Sequence, residues 1–373
     1  MKHLIFICCL LMIMIVYPTY AKSLDYDVNS KIRALYGYNF PADTFKTNQK
    51  RNHMPLYADI EGEISYKTDD VEIGLFGTLK SKLSNNLENL NQGHWGEEVY
   101  FSVFLGFGDF YVGQMPNVAA MNAVTKSNIS VWQPNNDEIV DFINNPNWYQ
   151  TNKTKYYSTL VSTNPNTDGS SLKIAYFTPE YKSSSIGISY TPNNNANDSL
   201  ISKFAPYYNK SSYSISFYNH QEFDFFDTEF YMSFSDYEKS HSEYATGFSL
   251  YRKGWTFLAS YLKSETKRSD KPINTITLSK NKKAYFDDFR DSTAYNFAVS
   301  YEFAFLTSTL SYFDSFSKNT KASNRIINLH NSLKFDKSYS IYLGVAYAQF
   351  KNAEYDMKGN KGLAIYTGIQ FDF

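Results

Sequence analysis

The chain has many titratable side chains but few at spacings that do chemistry. Its six histidines, His3, His53, His94, His220, His241 and His330, are scattered. None forms the His-Glu-x-x-His pattern that sets two imidazoles on one helix face to hold a metal. No Gly-x-Ser-x-Gly turn and no glycine-rich phosphate loop occurs. His220 or His241 could partner a serine in a lipid-cleaving pair, but no serine stands out to join them. Asp287 and Asp288 read as a solvated loop pair, and no Asp-x-Asp-x-Asp-Gly spacing suggests calcium. No catalytic residue, metal site or cofactor is expected. What remains is a set of acidic residues at period two, Asp59, Glu61 and Glu63, joined by Glu98. Carboxylates two apart on an extended chain share one face, so their chemistry is a fixed field and not a reaction.

The elements that must hold such a face come next. Residues 1–21 read as a secretory signal peptide. Lys2 supplies the positive start, Leu4 to Val16 the apolar core, and Thr19 and Ala21 the small residues before cleavage. The core is shorter than the ~20 residues of a membrane helix. Both cysteines, Cys8 and Cys9, lie within it, so the chain from Lys22 onward carries no thiol. The charge is nearly balanced, 36 basic against 37 acidic residues, which leaves no footprint for nucleic acid. Aromatic content is 18%, with 33 Tyr and 30 Phe. Girdles at two membrane interfaces use that many aromatic rings, whereas a soluble core does not.

No segment after residue 21 is apolar for 18 residues, so a membrane protein of this sequence must cross with a closed barrel. Alternation is present throughout. Val99, Phe101, Val103 and Leu105 alternate with Glu98, Tyr100, Ser102 and Phe104. Leu363, Ile365, Thr367, Ile369, Phe371 and Phe373 alternate with Ala364, Tyr366, Gly368, Gln370 and Asp372. The pattern predicts strands near residues 29–39, 57–67, 71–81, 97–106, 109–115, 171–178, 184–191, 212–219, 225–236, 243–251, 255–264, 293–303, 305–315, 325–335, 338–350 and 361–373. That is an all-β transmembrane antiparallel barrel of about 16 strands, filling residues 22–373. Short turns, such as Gly106-Phe107-Gly108 and Arg252-Lys253-Gly254, alternate with long polar connectors.

Residues 116–170 break that rhythm. A connector of this length is commonly functional. Asn135 or Asn136 could cap a helix over Asp137–Asn145 with Ile139, Phe142 and Ile143 on one face, and Trp132 and Trp148 could anchor it. A segment folded this way could tuck into the barrel. Thr154 to Thr163 alternates weakly, but a strand there would make the count odd, so it is read as loop.

Several short stretches resemble the Gram-negative general diffusion porins. Leu35-Tyr36-Gly37 resembles the opening strand of that family, and Gly108-Asp109-Phe110-Tyr111-Val112-Gly113-Gln114 the strand leading into its constriction loop. Leu172 to Tyr190 is similar to the hairpin that follows. Phe373, closing an alternating strand, resembles the family's terminal assembly signal. The resemblance implies a homotrimer in the outer membrane of a diderm bacterium, in contact with its lipid. Its third loop, here 116–170, would fold into the lumen, and small hydrophilic solutes and ions would pass. It also implies that loop acids, here Asp137, Glu138 and Asp141, face basic residues on the wall.

The wall departs from that pattern. Asp59 and Glu98 fall about where the family carries arginines, and Gln114 replaces the arginine before the loop. Alternation turns Asp59, Glu61, Glu63 and Glu98 inward, with Lys80, Lys173 and Lys334 as inward cations, which suggests a weakly cation-selective pore. In the first strand the two readings conflict. Alternation points Ile32, Ala34, Tyr36 and Tyr38 to lipid and Lys31 and Arg33 inward, while the resemblance turns Tyr38 inward. Two other functions stay open. Tyr100, Phe104 and Tyr366 could form the aromatic strip of a sugar-type channel, and a plugged lumen would make the barrel structural or adhesive. The signal-peptide reading predicts that protein recovered from the envelope has an intact mass beginning at Lys22; a mass that includes residues 1–21 would overturn it.

Overall fold

A computed structural model describes residues 23–41, 52–53, 56–68, 71–83, 98–124, 143, 148–150, 155–157, 159–160, 162–165, 169, 171–192, 211–238, 241–266, 275–279, 282–285, 291–318, 321–335, 338–351 and 359–373. Sixteen long strands form the wall, and each predicted strand finds its counterpart. They are β1 (Ser23–Pro41), β2 (Leu56–Lys67), β3 (Val71–Leu83), β4 (Glu98–Leu105), β5 (Gly108–Gln114), β6 (Leu172–Phe177), β7 (Ser184–Thr191) and β8 (Ser212–Glu222). The second half comprises β9 (Asp227–Tyr237), β10 (His241–Arg252), β11 (Trp255–Thr266), β12 (Ser292–Phe303), β13 (Leu306–Ser317), β14 (Ser323–Lys334), β15 (Tyr339–Lys351) and β16 (Asn360–Asp372). Every neighbouring pair is antiparallel, and β1 also pairs with β16, which closes the sheet. Among the described residues, no helix is long and apolar enough to cross a membrane.

Closure happens at a staggered seam. Lys31 through Pro41 of β1 pair with β16, whereas Ser23 through Ala34 pair with β2. β1 therefore begins earlier than alternation indicated, because its first residues are held by β2 alone. At the seam, Ser30 and Phe373 exchange both backbone hydrogen bonds, at 3.0 and 2.8 Å.

Short turns use the geometry that matches strand twist. Lys253 and Gly254 both have positive φ, as do Lys182 and Ser183, the combination that closes a two-residue hairpin. The outward face carries the aromatic excess. Phe and Trp crowd the short-turn end, as in Trp255, Phe303, Phe305, Phe335 and Phe373. Tyrosines such as Tyr36, Tyr190, Tyr213, Tyr244 and Tyr295 mark the long-connector end. Aliphatic residues such as Ile188, Ile215, Leu310, Leu329 and Val345 are exposed between them. An exposed apolar band between two aromatic girdles is the surface that a bilayer covers.

Among the described residues, the doubtful stretch after residue 154 contributes no strand to the wall. Lys155–Tyr157 pairs with Trp148–Gln150, in a separate two-stranded ribbon. The helix expected over Asp137–Asn145 lies outside the described residues apart from Ile143, which is buried. A short helix not anticipated from sequence, α1 (Val118–Met121), is capped by Asn117, whose Oδ1 accepts from Ala120 N at 2.8 Å.

Gly113, just before this segment, sits at φ 153°, and a Cβ there would stand 2.4 Å from Tyr100 Cα and Val99 O. Both atoms belong to backbone, so neither can rotate away. Gly113→Ala is expected to destabilise the folded barrel by about 2 kcal/mol or more, seen as a lower urea midpoint in detergent. An unchanged midpoint would show that β4 and β5 shift at little cost.

Candidate functional site: the inward face of the barrel wall

Directly paired residues in a sheet point to the same side, so the register sorts the whole wall into two faces. In β1, Ile32, Ala34, Tyr36 and Tyr38 pair with Phe371, Ile369, Thr367 and Ile365. Of these partners Phe371 and Ile365 are exposed to the lipid side. Alternation thus decides the first strand, and the inward Tyr38 implied by the resemblance is not found. Lys31 and Arg33 share the inward face with Asp372 and Gln370.

The same register carries across the next strands. Asp59 pairs with Lys31 and Lys80; Glu61 pairs with Asn29 and Thr78; Glu63 pairs with Asp27 and Phe76. Thr78 is opposite Glu98, and Phe76 is opposite Tyr100. Asp59, Glu61, Glu63 and Glu98 therefore lie on one inward surface, in rows across β2, β3 and β4. Asp59 is joined by Arg33 at 3.5 Å, both side chains being mostly buried. Glu61 and Glu63 are exposed, and among the described residues no basic side chain pairs with either. Lys80 stands in register with Asp59.

Two expected wall residues are placed differently. Gln114 pairs with Val99 and Leu172 and so has the parity of the outward set, although its side chain is buried. Lys173 has inward parity through Gly113, but it is fully buried. Its ammonium donates to Gly169 O at 2.6 Å and to Ser171 O at 3.3 Å, holding the chain that enters β6. Lys334 lies on the inward face at the short-turn end, opposite Ser340. Asp137, Glu138 and Asp141 lie outside the described residues.

The far wall is different in kind. From β7 to β15 its inward residues are largely small and polar, among them Ser189, Ser214, Ser235, Ser260, Asn296, Ser311 and Asn328, and all are buried. Parts of the long connector cover them. Val118 N donates to Ser189 Oγ at 3.2 Å, and Asn122 Nδ2 to Ser216 Oγ at 3.1 Å. Asn117 Nδ2 reaches Tyr237 Oη at 3.4 Å, and Tyr237 donates to the buried Glu243 at 3.0 Å. Thr163 and Ser260 share a hydrogen bond at 2.7 Å; Thr159 donates to Ser315 at 3.4 Å; Asn324 Nδ2 donates to Leu160 O at 3.2 Å. Val124, Ile143 and Leu160 pack in one cluster with inward Leu258, Leu262, Phe313 and Ile326. Sequence reading missed this apolar patch inside the barrel. Its signal was available: Leu258 and Leu262 break the polar parity of β11 where Ser260 and Ser264 keep it.

Aromatic rings sit among the inward carboxylates as well. Phe76 and Tyr100 are 4.8 Å apart between centroids, Tyr100 and Tyr111 5.9 Å, and Phe104 and Tyr111 5.9 Å. Tyr366 is not part of this group, whose Tyr100 and Tyr111 pack against Met115 and Val118. It is buried over Gly344, and its hydroxyl donates to Asn328 Oδ1 at 2.9 Å.

Because residues 22–373 contain no cysteine, single cysteines can test these faces. Glu61→Cys in liposome-embedded barrel is expected to react with a charged, water-soluble maleimide, and Ile60→Cys to be protected by lipid. Equal labelling would overturn the register.

No protein-family model matches this sequence, and no curated protein matches it. Solved structures do. The chain is similar to Salmonella typhi OmpF, solved in complex with daunomycin, at 14% identity and a TM-score of 0.60, over 93% of this chain and 97% of that one. It is also similar to an anion-selective porin from Comamonas acidovorans, at 10% identity and a TM-score of 0.57, over 94% and 100% of the two chains. OmpT of Vibrio cholerae, lacking its loop L8, aligns at 10% identity and a TM-score of 0.54 over the same shares. Over nearly its whole length, this chain has the fold of a porin-type outer-membrane β-barrel.

Proposed function

We propose that this protein is a channel of the outer membrane through which small hydrophilic solutes and ions diffuse, with a preference for cations. The observation that carries the reading is the contrast between the two inward walls. Many inward residues on β7–β15, such as Ser189, Ser214, Ser260, Asn296 and Asn328, are buried, while Glu61 and Glu63 on β2 are solvent-exposed. The free cross-section then runs along β1–β5. That face carries Asp27, Asp59, Glu61, Glu63, Glu72, Glu98 and Asp109 against Lys31, Arg33, Lys67, Lys80 and Lys82. Arg33 and Lys67 are themselves matched to Asp59 and Glu72. An excess of fixed negative charge in a narrow aqueous gap raises the local cation concentration.

The connector 116–170 acts in this reading as the element that narrows the lumen, held to the far wall by the hydrogen bonds of Val118, Asn122 and Thr163. The anion-selective porin of like fold has no bearing on the sign of selectivity, because the fold fixes the wall and the side chains fix the charge. A homotrimer follows from the porin resemblance and is part of the same proposal. The chemistry needs no catalytic group and no cofactor.

Planar-bilayer recording under a potassium chloride gradient tests the proposal. The expected result is stepwise insertion with a reversal potential on the cation side. Glu61→Gln with Glu63→Gln should move that potential toward zero while leaving insertion intact. A folded barrel that does not conduct would reject the channel. A reversal potential on the anion side would reject the role of the acidic wall.

A further inference from the structure

The outward face carries one group of charges that the aromatic girdle does not explain. On β14, Arg325 stands directly opposite Gln349 of β15, and Gln349 stands directly opposite Lys361 of β16. Lys351 lies two residues beyond Gln349 and so shares its face, opposite Ser323. Residues directly opposite on one face are ~5 Å apart and diagonal ones ~7–8 Å, so three cations surround one neutral amide. All three are exposed. Lys318 and Lys321, just past the end of β13 and just before β14, are exposed as well. Tyr347 is the next outward residue below Gln349, so the group lies just outside the tyrosine girdle.

A second, independent feature lies beneath the cations. Leu329, Leu343, Val345 and Ile365 are outward, exposed and apolar. Cations above such a band match a molecule with a phosphate head and hydrocarbon tails, whereas bare phosphate would use the cations alone. The acid in the row does not cancel the patch. Asp314, opposite Arg325, takes two of the five guanidinium donors on one oxygen, at 3.0 and 2.9 Å. Among the described residues, neither Lys351 nor Lys361 forms an ion pair. Other outward residues toward this end are neutral or matched: Tyr190, Tyr213 and Tyr244 carry no charge, and Lys263 is bridged to Glu265. Long connectors of such barrels face the exterior, so the patch meets the outer leaflet.

We propose that Arg325, Lys351 and Lys361, grouped around Gln349, bind the headgroup of an outer-leaflet lipid that carries a phosphate monoester. A monoester bears about −1.5 to −2 charge near neutral pH, more than a diester, and three cations around one point favour the higher charge. Arg325 offers planar N–H groups, and the lysines reach the phosphate on stems that lie along the apolar wall. The Gln349 amide adds a neutral donor at the centre. The lipid tails cover the aliphatic band of β14–β16. The site concerns the exterior wall alone, so it does not rest on the channel reading.

Native mass spectrometry of the folded full-length barrel, released from detergent with added lipid, counts the lipids that each barrel keeps. The probes share dioleoyl tails: phosphatidic acid has a monoester, phosphatidylglycerol a diester, and phosphatidylcholine no net charge. Phosphatidic acid should be kept most and phosphatidylcholine least, a comparison that needs no variant. Lys351→Gln with Lys361→Gln should weaken retention of phosphatidic acid about tenfold or more. Lys263→Gln, at the bridged cation of β11, should leave it unchanged. Equal retention of the three lipids, or of the two anionic ones, would overturn the proposal. So would unchanged retention in the double variant, or an equal loss with Lys263→Gln. Full displacement of phosphatidic acid by inorganic phosphate would also overturn it, and would mark a site for the free ion.

Discussion

In a bilayer there is no water to satisfy backbone N–H and C=O groups, so a sheet that crosses must have no free edge. The seam between β1 and β16 meets that demand, and everything else follows from it. Ser30 and Phe373 close it with paired backbone bonds, and eleven further residues of β1 continue the pairing from Lys31 to Pro41. Once the seam is fixed, the register of every strand is fixed. The parity of every side chain is then fixed too, because a slip of one residue would turn an apolar face inward.

Parity divides labour between the faces. Most outward positions are apolar or aromatic and grade from aliphatic at mid-height to rings at both ends. Inward positions are free to differ around the circumference, since no lipid constrains them. β7–β15 use that freedom for small residues, which leave room for a covering segment to lie close. The serine hydroxyls at 189, 216, 260 and 315 meet polar groups of Val118, Asn122, Thr163 and Thr159. Leu258, Leu262, Phe313 and Ile326 add an apolar contact that anchors the same segment without a directional bond. β1–β5 use the freedom for charge and rings. Among the described residues, the barrel thereby carries one side on which part of the connector packs and another on which Glu61 and Glu63 stay exposed.

Much of the fold was legible in the chain. Period-two alternation located all sixteen strands, because each residue of a wall strand faces one of two solvents of opposite polarity. It also assigned Ile32, Ala34 and Tyr36 to lipid where the resemblance to porins pointed the other way. Even the inward side of Asp59, Glu61, Glu63 and Glu98 follows from strand-by-strand alternation.

What alternation cannot supply is any relation between strands, since a one-dimensional pattern carries no register. Only the folded wall sets Glu61, Thr78 and Glu98 in one row and brings Phe76 within 4.8 Å of Tyr100. Only the fold shows that Lys173, inward by parity, spends its charge on the carbonyls of Gly169 and Ser171. The same is true of Tyr366, which closes over Gly344 and does not join the rings of β3–β5. The sequence by itself determined the number of strands and the side of the wall that most of their residues face, Gln114 being an exception, because lipid and water read residues one at a time. The tertiary structure decided which residues meet, because pairing and packing are properties of neighbours far apart in the chain.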